Sequence, residues 1–174
     1  IHFDLTLANA RSWQWWTALS QYDYKDGLIF LDNGNNGING PGHPDAETLK
    51  TDGFVRESKL LWALGNYSRF VRPGMVRVKA GFTLPKTEEE QAKNLMFSAY
   101  KDRSNKELVL VFVNYSVKEK KLTIGNLDKG IKLAETIAEA YTTSENSSLQ
   151  KSVIEIDKIA VPARSVMTLC LKLQ

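Results

Sequence analysis

At Pro73-Gly74 the apolar spacing of the chain changes period, and that change limits the folds open to it. Upstream, Leu60, Leu64, Tyr67 and Val71 recur every three or four residues, which predicts one amphipathic helix over 58–71. Ser58 supplies a cap and Pro73-Gly74 a stop. Gly65 in mid-helix costs about 1 kcal/mol relative to Ala, so a neighbour is expected to approach closely there. Downstream the period is two. Strands are predicted at 75–80, 95–101, 108–115, 119–125, 134–141, 152–157 and 165–173, with polar turns such as Asp102-Arg103-Ser104-Asn105 between them. Leu108 to Val113 is continuously apolar, as a central strand buried on both faces would be. In the last strand Met167, Leu169, Leu171 and Leu173 alternate with Val166, Thr168, Cys170 and Lys172, which reads as one dry and one wet face. Short strands at this spacing predict a β-sandwich or Greek-key barrel, interrupted by an acidic connection or short helix at 84–94.

The first part is different in kind. Helical spacing (Ile1, Leu5, Ala8) ends at Asn9, and the aromatic run 12–19 fits a buried strand better than a helix. Asp26 to Asp32 is a short extended segment opened by a turn dipeptide, and 33–44, rich in Gly and Asn, is a loop. A calcium loop around Asp32, Asn36 and Gly37 fails, because the third and twelfth positions hold Gly34 and His43 instead of oxygen ligands. About seventy residues with one clear strand do not complete a layered architecture, and Ile1 to Leu5 reads as mid-helix, so the chain is expected to be part of a longer protein.

Several functions are excluded early. The net charge of +3 is spread among acids, not gathered on a basic face, so no nucleic-acid partner is expected. No apolar run reaches the roughly 20 residues of a membrane span. The single cysteine, Cys170, sits in a strand and is expected to be a small buried or half-buried apolar residue. His2 and His43 are too isolated for a metal site, and no cofactor motif occurs. Lys118, Lys120 and Lys121 suit a solvated strand edge. Asn66-Tyr67-Ser68, Asn114-Tyr115-Ser116 and Asn146-Ser147-Ser148 match glycosylation sequons, the first two by chance since they fall in a packed helix and a strand end.

An ordered set of segments then carries a resemblance. Trp13-Gln14-Trp15-Trp16, Asp26-Gly27-Leu28-Ile29 and, most specifically, Gly65-Asn66-Tyr67-Ser68-Arg69-Phe70-Val71-Arg72-Pro73-Gly74 are together similar to the end of glycoside hydrolase family 30. The resemblance is strong over 1–80, and over 81–174 only the β-rich pattern agrees. It implies the C-terminal portion of a (β/α)8 barrel, 1–72, with an appended β-sandwich, 73–174. On that mapping 11–19 is the eighth barrel strand, 20–57 its loop and 58–71 the eighth helix. Secretion, or a periplasmic or cell-surface location, is implied with it.

Retaining hydrolysis needs two carboxyls about 5–5.5 Å apart. The resemblance places both glutamates on barrel strands upstream of Ile1, so no catalytic residue is expected here and the chain alone should be inactive. What remains is sugar contact, since aromatic faces stack on the C–H faces of sugar rings. Trp16 is the residue mapped onto a substrate-lining tryptophan, with Gln14 on its face and Trp13 and Trp15 on the other. A register slip of one residue would exchange Trp15 and Trp16. The expected substrate-binding set is therefore Trp16, Trp15 and Gln14, with barrel core as the competing role for each tryptophan. The expected partners are a polysaccharide or oligosaccharide and the rest of the barrel. The rival readings are a non-catalytic carbohydrate-binding module and a purely structural β-domain. A binding module would carry its aromatics on the sandwich, whereas all four tryptophans precede residue 73.

Overall fold

The computed structural model describes residues 1–21, 25–32, 54–102, 106–125, 127 and 131–174. The loop at 33–44, with Gly34, Asn36, Gly37 and His43 of the rejected calcium loop, and residues 103–105 of the polar turn lie outside them.

Its centre is one antiparallel sheet of β4 (Val76–Val78), β5 (Leu95–Asp102), β6 (Glu107–Asn114), β11 (Ser165–Lys172), β8 (Ile137–Ser144) and β9 (Ser147–Glu155), paired in that spatial order. Strand β6 lies between β5 and β11 with Val109 and Val111 at 1% and 0% exposure, so the continuous apolar run is buried on both faces. Its even-numbered residues, Leu108, Leu110 and Phe112, join Met167, Leu169 and Leu171 in the larger core. That face is covered by Ile159 and Val161 of β10 (Ile159–Val161), which pairs with β7 (Lys120–Leu122) as a second, two-stranded sheet. The arrangement is sandwich-like and mostly β, as the alternation requires.

On the opposite face Val109, Val111 and Tyr100 pack with Tyr67, Ile1, Leu5, Phe70 and Val71 from helical segments laid across the sheet. The departure from expectation is in the last strand. Thr168, read as a wet-face residue, is 0% exposed because its hydroxyl donates to the backbone oxygen of Asn66 at 2.8 Å and to Asn66 Oδ1 at 3.0 Å. Its burial is tolerated because both bonds are made.

The helix responsible is α2 (Lys59–Ser68). Ser58 caps it, accepting from Leu61 N at 3.3 Å, and the Ser58 hydroxyl also donates to Leu28 O. Asn66 is wholly buried; its amide donates to Thr143 Oγ1 at 2.8 Å and to Trp62 O at 3.1 Å. A Cβ on Gly65 would stand 2.6 Å from Leu149 Cδ1, which is the close neighbour that the glycine implied. Lys59 Nζ reaches Ser147 O and Ser148 Oγ at the start of β9. Beyond Gly74, which takes φ +93 where side chains are strained, the chain enters β4.

The 84–94 segment holds α3 (Glu88–Lys93), opened by a capping box between Thr87 and Glu90. A further helix, α1 (His2–Thr6), is shorter than the helical spacing to Asn9 suggested. A small third sheet places β1 (Leu19–Ser20) parallel to β2 (Ile29–Asp32), and β2 antiparallel to β3 (Phe54–Glu57). The strand expected over 11–19 is thus a correction: residues 11–18 form no ladder, because only Leu19 and Ser20 find partners, in Ile29 and Phe30. Strands β3 and β10 were not anticipated.

Candidate functional site

Without a ladder, the aromatic segment needs other restraints, and its indoles provide them. Trp13 Nε1 donates to Asp4 Oδ2 at 2.8 Å, and Trp15 Nε1 donates to the Asp26 carbonyl at 2.6 Å. The two rings stack, with centroids 5.7 Å apart and planes 22° from parallel. Indole N–H groups that leave water need such acceptors. On the C-terminal side, Leu28 N donates to Thr17 O and Ile29 N to Ala18 O, so the backbone is tied again as it enters β1. The Trp16–Thr17 peptide bond between these ties is cis.

The expected residues separate accordingly. Trp13 is half-buried and Trp15 is 39% exposed, on one side of the segment; Gln14 is exposed and Trp16 is 85% exposed. The i, i+2 pairing inferred for a strand therefore survives locally in Trp13 and Trp15, though no strand carries it. Below the stacked pair lies an apolar cavity of about 530 Å³, lined by Phe3, Leu28, Leu60, Leu64, Tyr67 and Met96 among others. Asp4 and Asp26, the two anchors, were missed by sequence reasoning. Their only signal was the presence of oxygen acceptors near an indole-rich run.

Charge chemistry in this region is sparse. Asp4 also meets the Ile1 amino group at 3.0 Å, and that contact, then the Trp13 bond, holds its carboxyl below the ordinary range. Glu57 accepts from Trp62 Nε1 at 3.1 Å, as befits a helix-start group. Among the described residues no three His, Cys, Asp or Glu side chains gather as a metal site would require. Cys170 is half-buried, and burial followed by the nearby Glu107 and Glu139 carboxylates pushes its thiol up to about 12, so thiolate chemistry is suppressed.

His2 titrates in the opposite sense to an ion-paired histidine. It is 9% exposed, and burial, then the chain's amino group and Arg77, push its pKa down to about 4 from 6.5. The folded state therefore refuses a proton that the unfolded chain accepts. Stability from this group is complete above pH 6.5, falls as pH drops from 6.5 to 4, and is level below that. The full loss is about 3 kcal/mol. Urea midpoints at pH 7 and pH 4.5 should differ accordingly, and His2→Gln should flatten the difference; an unchanged slope in that variant would assign the acid sensitivity elsewhere.

Comparison with known proteins supplies the family. A model of O-glycosyl hydrolase family 30 matches residues 1–30, the stretch that holds all the tryptophans of this site. A family 30 subfamily 8 xylanase from Clostridium acetobutylicum shares the fold at TM-score 0.62 and 19% identity, over 98% of this chain and 36% of that one. A family 30 endoxylanase from Clostridium papyrosolvens aligns at TM-score 0.50 and 22% identity, over 67% of this chain and 28% of that one. The chain is related to glycoside hydrolase family 30. A conserved exported protein from Bacteroides fragilis is nearer in sequence, at 37% identity and TM-score 0.81, over 97% of this chain and 31% of its own. This family 30 relative thus spans about a third of the length of the solved structures it matches. No curated protein sequence matches it. Among the described residues no helix is long and apolar enough to cross a membrane.

Proposed function

We propose that the chain is the C-terminal part of a retaining glycosidase acting on a β-linked polysaccharide, a glucan, galactan or xylan, in a secreted, periplasmic or cell-surface setting. In this reading residues 1–72 close a (β/α)8 barrel and 73–174 form its β-sandwich brace. Trp16, Trp15 and Gln14 meet the sugar, while the catalytic glutamates belong to the rest of the barrel. The observation that carries the reading is Trp16, an indole 85% exposed on a backbone tied at both ends, inside the residues that the family 30 model matches. An aromatic face in that position stacks on sugar C–H groups and excludes water from an oxocarbenium-like transition state. Exported and xylan-degrading relatives support the setting and the substrate class.

The test has two parts. The pure chain should release no product from xylan or a β-linked aryl glycoside above a heat-killed control, since it contributes sugar contact and no acid/base pair. It should bind xylohexaose, followed by tryptophan fluorescence, and Trp16→Ala should weaken that binding more than tenfold, the scale of a truncated aromatic anchor. Because the ring is exposed, the same change should alter stability by less than about 0.5 kcal/mol. A large stability loss with unchanged binding would make Trp16 a packing residue.

A further inference from the structure

We infer that Asp4 is the positioning residue for Trp16, acting through the Trp13–Trp15 stack. The inference rests on the proposal that Trp16 meets a sugar, and it adds the element that holds the ring in place. Trp16 itself touches little, being 85% exposed, so its direction is set by the backbone on either side of it. On the C-terminal side that backbone is fixed by the Leu28 N to Thr17 O bond, at 3.1 Å, which continues into the β1–β2 ladder. On the N-terminal side there is no ladder. Restraint there comes from side chains: Trp15 Nε1 on Asp26 O, the Trp13 ring on the Trp15 ring, and Asp4 Oδ2 on Trp13 Nε1.

Asp4 is the outermost member of that chain and the only ionised one. A carboxylate acceptor makes a stronger bond to an N–H than a neutral acceptor does, and α1 holds it in a fixed direction. Removing the carboxylate frees the Trp13 indole to turn, the stack loosens, and Trp15 keeps one bond where it had a bond and a stacked neighbour. The Trp16 ring then samples more directions, and the binding site is less preorganised. An exposed carboxylate contributes little to stability by itself, so a binding loss at an unchanged melting temperature separates a positioning role from a structural one.

The experiment uses the 174-residue chain, xylohexaose as the probe, and the circular-dichroism couplet near 230 nm that two stacked indoles produce. Asp4→Ala should lose the couplet and bind xylohexaose about tenfold more weakly. Trp13→Phe, which keeps a ring and drops the N–H, should reproduce the binding loss. Asp4→Asn keeps an oxygen acceptor and should restore binding to within about twofold of the native chain. Native-like binding in both Asp4→Ala and Trp13→Phe, with binding lost in Trp16→Ala, overturns the positioning role and leaves the sugar reading standing. Native-like binding in Trp16→Ala as well overturns both. A binding loss in Asp4→Ala that tracks a lowered melting temperature, and that Asn does not rescue, assigns Asp4 to folding and also overturns the inference.

Discussion

Replacing Asn114 by Ala should lower stability by about 3 kcal/mol, a fall in melting temperature of roughly 6–12 °C for a chain of this size. Asn114 ends β6 at 1% exposure, and its amide reaches three carbonyls: Lys118 O at 2.9 Å, Val161 O at 3.1 Å and Pro162 O at 2.8 Å. Its Oδ1 accepts from the backbone N–H and the hydroxyl of Ser116. One side chain therefore fixes the turn after β6 and the corner that leads from β10 into β11. Alanine removes every one of these bonds; Lys118 O keeps the Ser116 hydroxyl and Pro162 O that of Ser165, whereas Val161 O, beside the Val161 and Ile159 core, loses its side-chain donor. Five bonds are lost at one buried side chain, which is why the effect exceeds that of one lost bond. Asn114→Asp should be at least as damaging, since it keeps the acceptor, loses the donors and buries a charge. A change under 1 kcal/mol in urea titration of Asn114→Ala would show that the corner is held by its ladder alone.

Asn66→Ala should cost about 2–3 kcal/mol, with fewer bonds at stake. The side chain bonds Trp62 O, Thr143 Oγ1 and Thr168 Oγ1 in the seam between α2 and the sheet. Here too the abandoned partners are partly provided for. Thr168 still has the Asn66 backbone oxygen, and Thr143 still donates to Trp62 O and accepts from Leu149 N. The loss is then mainly the bonds themselves plus the space vacated at a 0% exposed site, offset by the better helix propensity of Ala. Thr168→Val tests the same seam from the sheet side. If Asn66→Ala and Thr168→Val together cost the plain sum of the single changes, the two are not coupled and the seam is not a network.

These two asparagines also show what was legible in the sequence. Both head sequon-like triplets, and reading them as chance followed from placing one in a packed helix and the other at a strand end. Their burial agrees. Asn146, by contrast, is exposed in the turn between β8 and β9. The switch of period at Pro73-Gly74 revealed α2 and most of the central sheet, because a helix stripe and a period-two run are direct consequences of burial on one side. The continuous run of β6 revealed its central place for the same reason.

What failed did so where a contact, and not a period, decides the outcome. Thr168 has the composition of a wet face, and nothing local announces that α2 will lie over it. Residues 11–18 have strand composition, but a strand exists only where a ladder partner lies alongside, and β2 reaches no further than Leu19 and Ser20. Ile159 to Val161 is too short for a period to show, and its pairing with Lys120 to Leu122 supplies the signal. For the site, the aromatic run and its i, i+2 division were readable. The anchors Asp4 and Asp26 were not, because hydrogen bonds nine and eleven residues apart leave no spacing rule behind them.

The central claim is that sugar meets this chain at the tryptophan segment and that the sandwich is a brace. Amide and indole N–H resonances recorded with increasing xylohexaose test it most directly. The account predicts shifts concentrated at Gln14, Trp15, Trp16 and Thr17, including the Trp16 indole, with β5, β6, β8 and β11 unchanged. Shifts confined to the sheet strands, with the Trp16 indole silent, would contradict it and make the β-domain itself the binding module.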